Sequence, residues 1–417
     1  MTIPTATSES SPTAPPSPAG AGAPVVPVPR ALGVGLISVG WMGRLHSRAY
    51  RAVPDHFPEL GVAPRLVTAA DPVAEARAQA EARLGYARSV ADYRDVLADP
   101  EVDVVSICSP NFLHAEMAVA AAEAGKPFWI EKPMGRHAAD SRRIADAVRA
   151  AGIVTAVGFN YRHAPAIAEM RRLVTTGAIG RVTNVRGAML ADYSSDPLAP
   201  LTWRFERDRA GSGVLGDLLS HGLDLAAHVV GPIASVSATA ATVVSERPTV
   251  APGVVDRSAP ASGAPRAVEN EDYAALMFRF ESGALGVMDS SRVMRGPRAE
   301  YSLEVYGTTG SLRWDFQRLN ELEVCVSDTA ERGASAYGYT TVHMSPGHGE
   351  FHRFQPGGGT GMGFDDLKTV EAARFVESVL TGRQVAPSVE DGLTAARVVE
   401  AAEASVVDGC WHDVEPE

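Results

Sequence analysis

The sequence predicts a two-part α/β chain: an N-terminal doubly wound parallel sheet of the Rossmann type, then an α/β domain on a large, mostly antiparallel open sheet. Three observations predict it. Short apolar runs at residues 34–39, 65–70, 103–108, 128–130 and 153–159 alternate with helical stretches, the pattern of strands buried on both faces. The first run ends in Ser38-Val39-Gly40-Trp41-Met42-Gly43 and opens into a helix. After Phe159 the runs become short, alternating and separated by turns, as in half-buried antiparallel strands. At 417 residues the chain exceeds one ordinary core. The expected divisions are a tail at 1–30, a first domain at 31–159 and a second at 160–417.

Composition narrows the functional classes. The formal net charge of −12 argues against nucleic acid as a partner, because phosphate binding needs a basic surface. Cys108, Cys325 and Cys410 are far apart and match neither a disulfide ladder nor a metal spacing, so no metal is expected and a reducing, cytoplasmic compartment is. No apolar stretch is long enough for a bilayer, and no membrane partner is expected. The first thirty residues are rich in Ser, Thr, Ala and Pro and lack the basic start and apolar centre of a secretion signal. They are expected to be a disordered tail.

In the first domain, Gly40 lets the backbone approach a pyrophosphate and Gly43 lets the helix pack on the strand, with the phosphates on the helix-start amides. Ser38 stands where the usual pattern has its first glycine. The strand at 65–70 ends at Asp71, whose carboxylate can accept from both ribose hydroxyls and would repel a 2′-phosphate, favouring NAD over NADP. The plainer alternative is that Asp71 caps the helix expected at 72–84. Asp71 lies farther from Gly43 than the usual ~20 residues, because of an insertion around residues 54–59. Ser109, Asn111 and His114 follow the next strand at its carboxyl end, with helix capping the plainer role for His114. The run Phe128-Trp129-Ile130-Glu131-Lys132-Pro133 is a strand stopping at a charged pair. A lysine there faces the crevice where open α/β sheets bind ligands, and Pro133 biases it toward an extended backbone.

The second domain opens with Asn160-Tyr161-Arg162. In Gly213…Asp217…Ser220-His221…Asp224, a helix from about residue 214 places Asp217 and His221 four apart on one face. A carboxylate beside an imidazole raises its pKa and orients it, which suits general acid/base work; an ordinary surface pair is the alternative. Trp203 and Arg204 can stack on a ring and donate to hydroxyls, or the indole can pack under a loop. Strands are expected at 181–189, 236–244, 272–280, 284–290, 301–306, 311–315 and 321–326, long loops at 248–267 and 345–363, and two packing helices at 364–380 and 392–407.

The glycine loop, Pro110-Asn111…His114, Glu131-Lys132-Pro133 and Gly213…Asp217…His221 together resemble the Gfo/Idh/MocA family of oxidoreductases. The resemblance covers nearly everything after the tail. Residues 196–205, 210–213, Phe159-Asn160-Tyr161-Arg162 and Glu246-Arg247-Pro248 look like its levoglucosan dehydrogenase branch. It implies a catalytic trio of Lys132, Asp217 and His221, and cofactor contacts at Ser38, Gly40, Trp41, Met42, Gly43, Asp71, Ser109, Asn111, His114, Glu131 and Lys132. Asn160, Arg162, Trp203 and Arg204 are the candidates for substrate hydroxyls. The implied activity is NAD(P)-dependent hydride transfer at a secondary hydroxyl of a sugar, anhydrosugar or cyclic polyol. It also implies that the second domain's sheet makes a homodimer or homotetramer. Two rivals share the fold: an NAD-dependent glycoside hydrolase and a non-catalytic dinucleotide-sensing regulator.

Overall fold

The computed structural model describes residues 29–250, 263–326 and 338–415. Nearly all of the expected tail and the middle of the 248–267 loop lie outside the described residues. The first sheet contains β1 (Arg30–Ile37), β2 (Val62–Ala70), β3 (Arg88–Val90), β4 (Val104–Ile107), β5 (Phe128–Ile130) and β6 (Thr155–Val157). Its order is β3-β2-β1-β4-β5-β6 and every pair is parallel. Every side chain of β4 and β5 is buried, which is why their sequences are apolar on both faces. Between them run α1 (Trp41–His56), α2 (Ala74–Gln79), α3 (Tyr93–Ala98), α4 (His114–Glu123) and α5 (Ala138–Ala151). The strand order reverses between β1 and β4, and at that switch point an open parallel sheet leaves a crevice beyond its carboxyl ends.

The second domain begins with α6 (Pro165–Thr175) and β7 (Val182–Ala191), followed by α7 (Arg207–Ala210) and α8 (Ser220–Val230). Then come β8 (Ile233–Ala241), a small hairpin of β9 (Glu246–Pro248) with β10 (Pro265–Ala267), β11 (Tyr273–Phe280) and β12 (Leu285–Ser291). β13 (Ala299–Gly307), β14 (Gly310–Asp315), β15 (Glu321–Val326) and β16 (Thr340–His343) follow. Two last helices, α9 (Phe364–Thr381) and α10 (Val389–Asp408), precede β17 (His412–Asp413). The nine-stranded sheet has the order β16-β15-β14-β13-β7-β12-β11-β8-β17 and is antiparallel except where β12 meets β7. The expected alternation is clear in β11: Ala274, Leu276, Phe278 and Phe280 point inward, while Met277 and Arg279 point out.

The chain's end departs from the simple two-part division. α9 lies along α1, and α10 packs on α5. Gln384, between those helices, accepts from the Thr155 amide at 3.1 Å, and Val157 N–H donates to Pro387 O at 2.8 Å. The span expected as one second domain therefore returns over the first and covers its β6 edge.

Candidate active site

The glycine loop is held open by backbone geometry and one carboxylate. Ser38 has φ 76° and is the one non-glycine residue at positive φ among the described residues. Serine thus adopts the left-handed turn that glycine usually supplies. A Cβ on Gly43 would stand 2.3 Å from Ser38 O, so glycine is needed for α1 to begin this close to β1. A Cβ on Gly40 would meet nothing within 4 Å; it borders open space. Asp71 accepts from Val39 N–H and Val73 N–H, each at 2.9 Å, so its carboxylate ties the glycine loop to the end of β2. The helix after it starts only at Ala74, later than expected. Arg77 donates to the carbonyls of Asp71 and Pro72 at 2.8 and 3.0 Å. Met42 is half-buried, whereas Trp41 is 65% exposed and stacks on Phe364 of α9.

Beyond β4, the Ser109 hydroxyl and Asn111 Oδ1 are buried without a partner among the described residues. Asn111 Nδ2 donates to Ala210 O at 2.9 Å and so bridges the two domains. His114 faces two carbonyls, to one of which its neutral ring can donate. Its ring nitrogens lie 3.0 Å from Pro133 O and 2.8 Å from Ser109 O, and burial lowers its pKa. The ring therefore braces the loop after β5 against the loop after β4. Glu131 turns inward, away from the crevice, to His46 and Lys368. Its expected contact with a cofactor is thus limited to its backbone.

The candidate reactive groups Lys132 and Asp217 meet across the domain boundary. Lys132, whose peptide to Pro133 is cis, directs Nζ to Asp217 O at 2.7 Å and Asp217 Oδ1 at 3.2 Å. Asp217 sits in a single widened π turn, Leu215–Leu219, that runs into α8; such turns recur at functional sites. Its second carboxylate oxygen accepts from Tyr193 O–H at 2.6 Å. Asp217, expected to orient His221 or to bind a neighbouring hydroxyl, bridges Lys132 and Tyr193. His221, at the start of α8, is buried against Tyr161, with ring centroids 4.7 Å apart. Burial, reinforced by the Lys132 charge, holds its pKa well below the ordinary histidine value, so the ring is neutral near neutral pH. Tyr193 had not been singled out in the sequence; its signal is a polar aromatic placed two residues past β7.

The other candidates separate. Asn160 is buried and its Nδ2 has no partner among the described residues. Trp203 meets Phe112 edge-on at 5.6 Å, and the Arg204 guanidinium lies 4.3 Å from the Trp203 ring centroid, so that pair stacks on itself. Arg162 is a correction. Its guanidinium is bonded to both oxygens of Asp224, at 2.8 and 2.5 Å, and lies 2.9 Å from Asp391, which makes it an internal ion pair rather than a free donor. Asp224 accordingly belongs to that pair. Arg247 also gains a role: fully buried, it donates to Asp196 O at 2.7 Å and Ser194 O at 2.5 Å. With Arg292 it brackets Phe205, their guanidinium carbons 4.5 and 4.6 Å from its ring centroid, and so pins the loop that carries Tyr193 and Trp203.

These residues fit a dinucleotide. The open space at Gly40 gives a phosphate room against the start of α1, and the buried Ser109 and Asn111 oxygens at the carboxyl end of β4 lack partners among the described residues. Fold and site together define an oxidoreductase with a dinucleotide-binding Rossmann domain. Residues 32–159 match the model of an oxidoreductase family with an NAD-binding Rossmann fold, and residues 167–313 match the GFO/IDH/MocA C-terminal domain. Levoglucosan dehydrogenase of Pseudarthrobacter phenanthrenivorans is 38% identical over 389 residues, 92% of this chain and 98% of that protein. Myo-inositol 2-dehydrogenase of Thermotoga maritima is 27% identical, over 89% of this chain and 96% of its own. A levoglucosan dehydrogenase structure in complex with NADH and levoglucosan superposes with a TM-score of 0.86 at 37% identity, covering 93% of this chain and 100% of that one. The chain belongs to the Gfo/Idh/MocA oxidoreductase family.

Proposed function

We propose that the protein oxidises a ring secondary hydroxyl of a sugar, anhydrosugar or cyclic polyol to the ketone, with levoglucosan-like pyranoses oxidised at C3 as the first candidates. The observation that carries this reading is the meeting of Lys132 from the first domain with Asp217 from the second, while the His221 ring is near enough for the Lys132 charge to lower its pKa. NAD, when bound, supplies the acceptor for the hydride. The ammonium of Lys132 stabilises the negative charge that develops on the substrate oxygen. Asp217, steadied by Tyr193, holds that ammonium in place. Neutral His221 is in the form that accepts the hydroxyl proton. In this reading Asn160 Nδ2, buried without a partner among the described residues, donates to a neighbouring hydroxyl, and Trp203 walls the sugar ring. Identity to the levoglucosan dehydrogenase supports the substrate class.

The test is a panel of sugars, anhydrosugars and inositols assayed with NAD and with NADP by reduced-nicotinamide absorbance. Turnover of at least one pyranose or cyclic polyol is expected, with kcat/KM for NAD exceeding that for NADP by about tenfold or more. The preference follows because the Asp71 carboxylate repels a 2′-phosphate. Absence of turnover across the panel, or a preference for NADP, would count against the reading.

We propose further that the protein acts in the cytoplasm as a homodimer or homotetramer joined through the outer face of the nine-stranded sheet. The cysteines Cys108, Cys325 and Cys410 are all free, and no helix among the described residues is long and apolar enough to cross a membrane. Met277, Leu285 and Val287 are exposed together on the paired strands β11 and β12, an apolar face that a second copy would cover. Light scattering of Val287→Asp should show dissociation of an assembly that the unaltered chain forms. A monomeric unaltered chain would refute this.

A further inference from the structure

The chain has three lysines among its 38 basic side chains: Lys126, Lys132 and Lys368. Two of them stand on opposite sides of Glu131. Lys132 follows it in the chain, and Lys368 reaches it from α9. We propose that Lys368 is a positioning residue for Lys132: by drawing the Glu131 carboxylate inward, it fixes the direction in which the reactive amine leaves the end of β5. The inference rests on the role given to Lys132 above.

Glu131 Oε1 receives Lys368 Nζ at 2.6 Å and His46 Nε2 at 2.9 Å, and Lys368 Nζ lies 2.9 Å from Glu371 Oε2. All four side chains are at most 8% exposed, so water cannot take the cation's place. His46 is itself locked. It stacks on Trp129 with centroids 3.4 Å apart, and its Nδ1 lies 3.1 Å from Ser106 Oγ. The carboxylate sits in a slot that closes on the far side at Gly158, where a Cβ would come within 2.8 Å of Glu131 Oε2.

β5 ends at Ile130 and the chain bends at Lys132, so holding the Glu131 side chain fixes the short stretch of backbone from which the Lys132 side chain leaves. With Glu131 anchored inward, Lys132 is aimed outward, where its amine meets Asp217. α9 thereby supports three parts of the site: Lys368 stands behind Lys132, Phe364 lies under Trp41 of the glycine loop, and Phe364 also touches Tyr161, the ring against His221. Removing the Lys368 ammonium leaves the buried Glu131 carboxylate with the neutral His46 imidazole in place of a cation, which frees it from the inward position that Lys368 fixes.

The experiment uses Lys368→Met, Lys368→Arg and Gly158→Ala in the full chain, with two readouts. In steady-state assays, Lys368→Met and Gly158→Ala should lose about 10- to 100-fold in kcat, the scale of a small misplacement at a reacting centre, with KM for NAD nearly unchanged. Lys368→Arg, which keeps a cation, should recover part of the loss. The second readout needs no turnover: acetic anhydride labelling of each lysine, followed by peptide mass spectrometry. Lys126, which donates to the carbonyls of Asp99 and Val102, is the internal standard. Lys132 should label several-fold faster in Lys368→Met and Gly158→Ala. Unchanged Lys132 labelling in folded Lys368→Met overturns the proposal, even if kcat falls. If Lys368→Met does not fold, Gly158→Ala decides by the same criterion. If labelling rises while kcat holds, Lys368 does orient the amine and it is the catalytic role of Lys132 that fails.

Discussion

Lys132→Met is expected to lower kcat/KM by about 100- to 1,000-fold, the scale of losing one preorganised charge at a developing oxyanion. The amine is the group best placed to meet that charge: it is 16% exposed, comes from the strand end that borders the crevice, and is already directed by Asp217. The fold should not suffer. Asp217 is 31% exposed and keeps its bond from Tyr193, so losing Lys132 strands no buried charge. Lys132→Arg should not rescue activity, because a planar guanidinium cannot replace a compact ammonium held by one carbonyl and one carboxylate oxygen. Steady-state rates with the best substrate of the panel, beside thermal unfolding of each variant, check this. A loss smaller than about tenfold with unchanged stability would remove Lys132 from the centre of the mechanism.

The parts of this site written in consecutive residues were legible in the sequence. Strand, glycine loop and helix follow one another within the first domain, and so do β5, Glu131 and Lys132; their chemistry comes from local backbone geometry that residue types dictate. The comparisons bear out the fold class and the family read from those motifs. What could not be read is what the fold joins over long separations. Lys368 meets Glu131 across 237 positions, and a lysine among the other charged residues of α9 gives no sign of its partner. Asp217 and His221 share a helix, which made a mutual pair the natural expectation. The widened turn and the arrival of Lys132 from 85 residues away at Asp217 are visible only in the fold. Arg162 follows Asn160-Tyr161 at a strand end, where a free donor was reasonable; only packing against α8 and α10 reveals Asp224 and Asp391 as its partners.

Arg162→Leu is therefore expected to cost stability, by about 3–5 kcal/mol, the usual consequence of stranding one member of a buried ion pair. The Arg162 and Asp224 side chains are 14% and 2% exposed. Burial pushes the Asp224 carboxyl up to about 6 even with Arg162 beside it. A carboxyl whose folded pKa lies above its unfolded value holds its proton more tightly in the folded state. Its contribution is fully present below the unfolded pKa and is lost as pH rises through the folded one. Without the guanidinium the folded value moves higher still. The variant's loss of stability should thus be smallest near about pH 5, where Asp224 is protonated in both proteins, and should grow toward about pH 8. Adding Asp224→Asn to Arg162→Leu removes the stranded charge and should recover part of the loss at the higher pH. Urea unfolding at both pH values separates this from a substrate role: a donor to sugar hydroxyls would raise KM and leave both unfolding midpoints where they were.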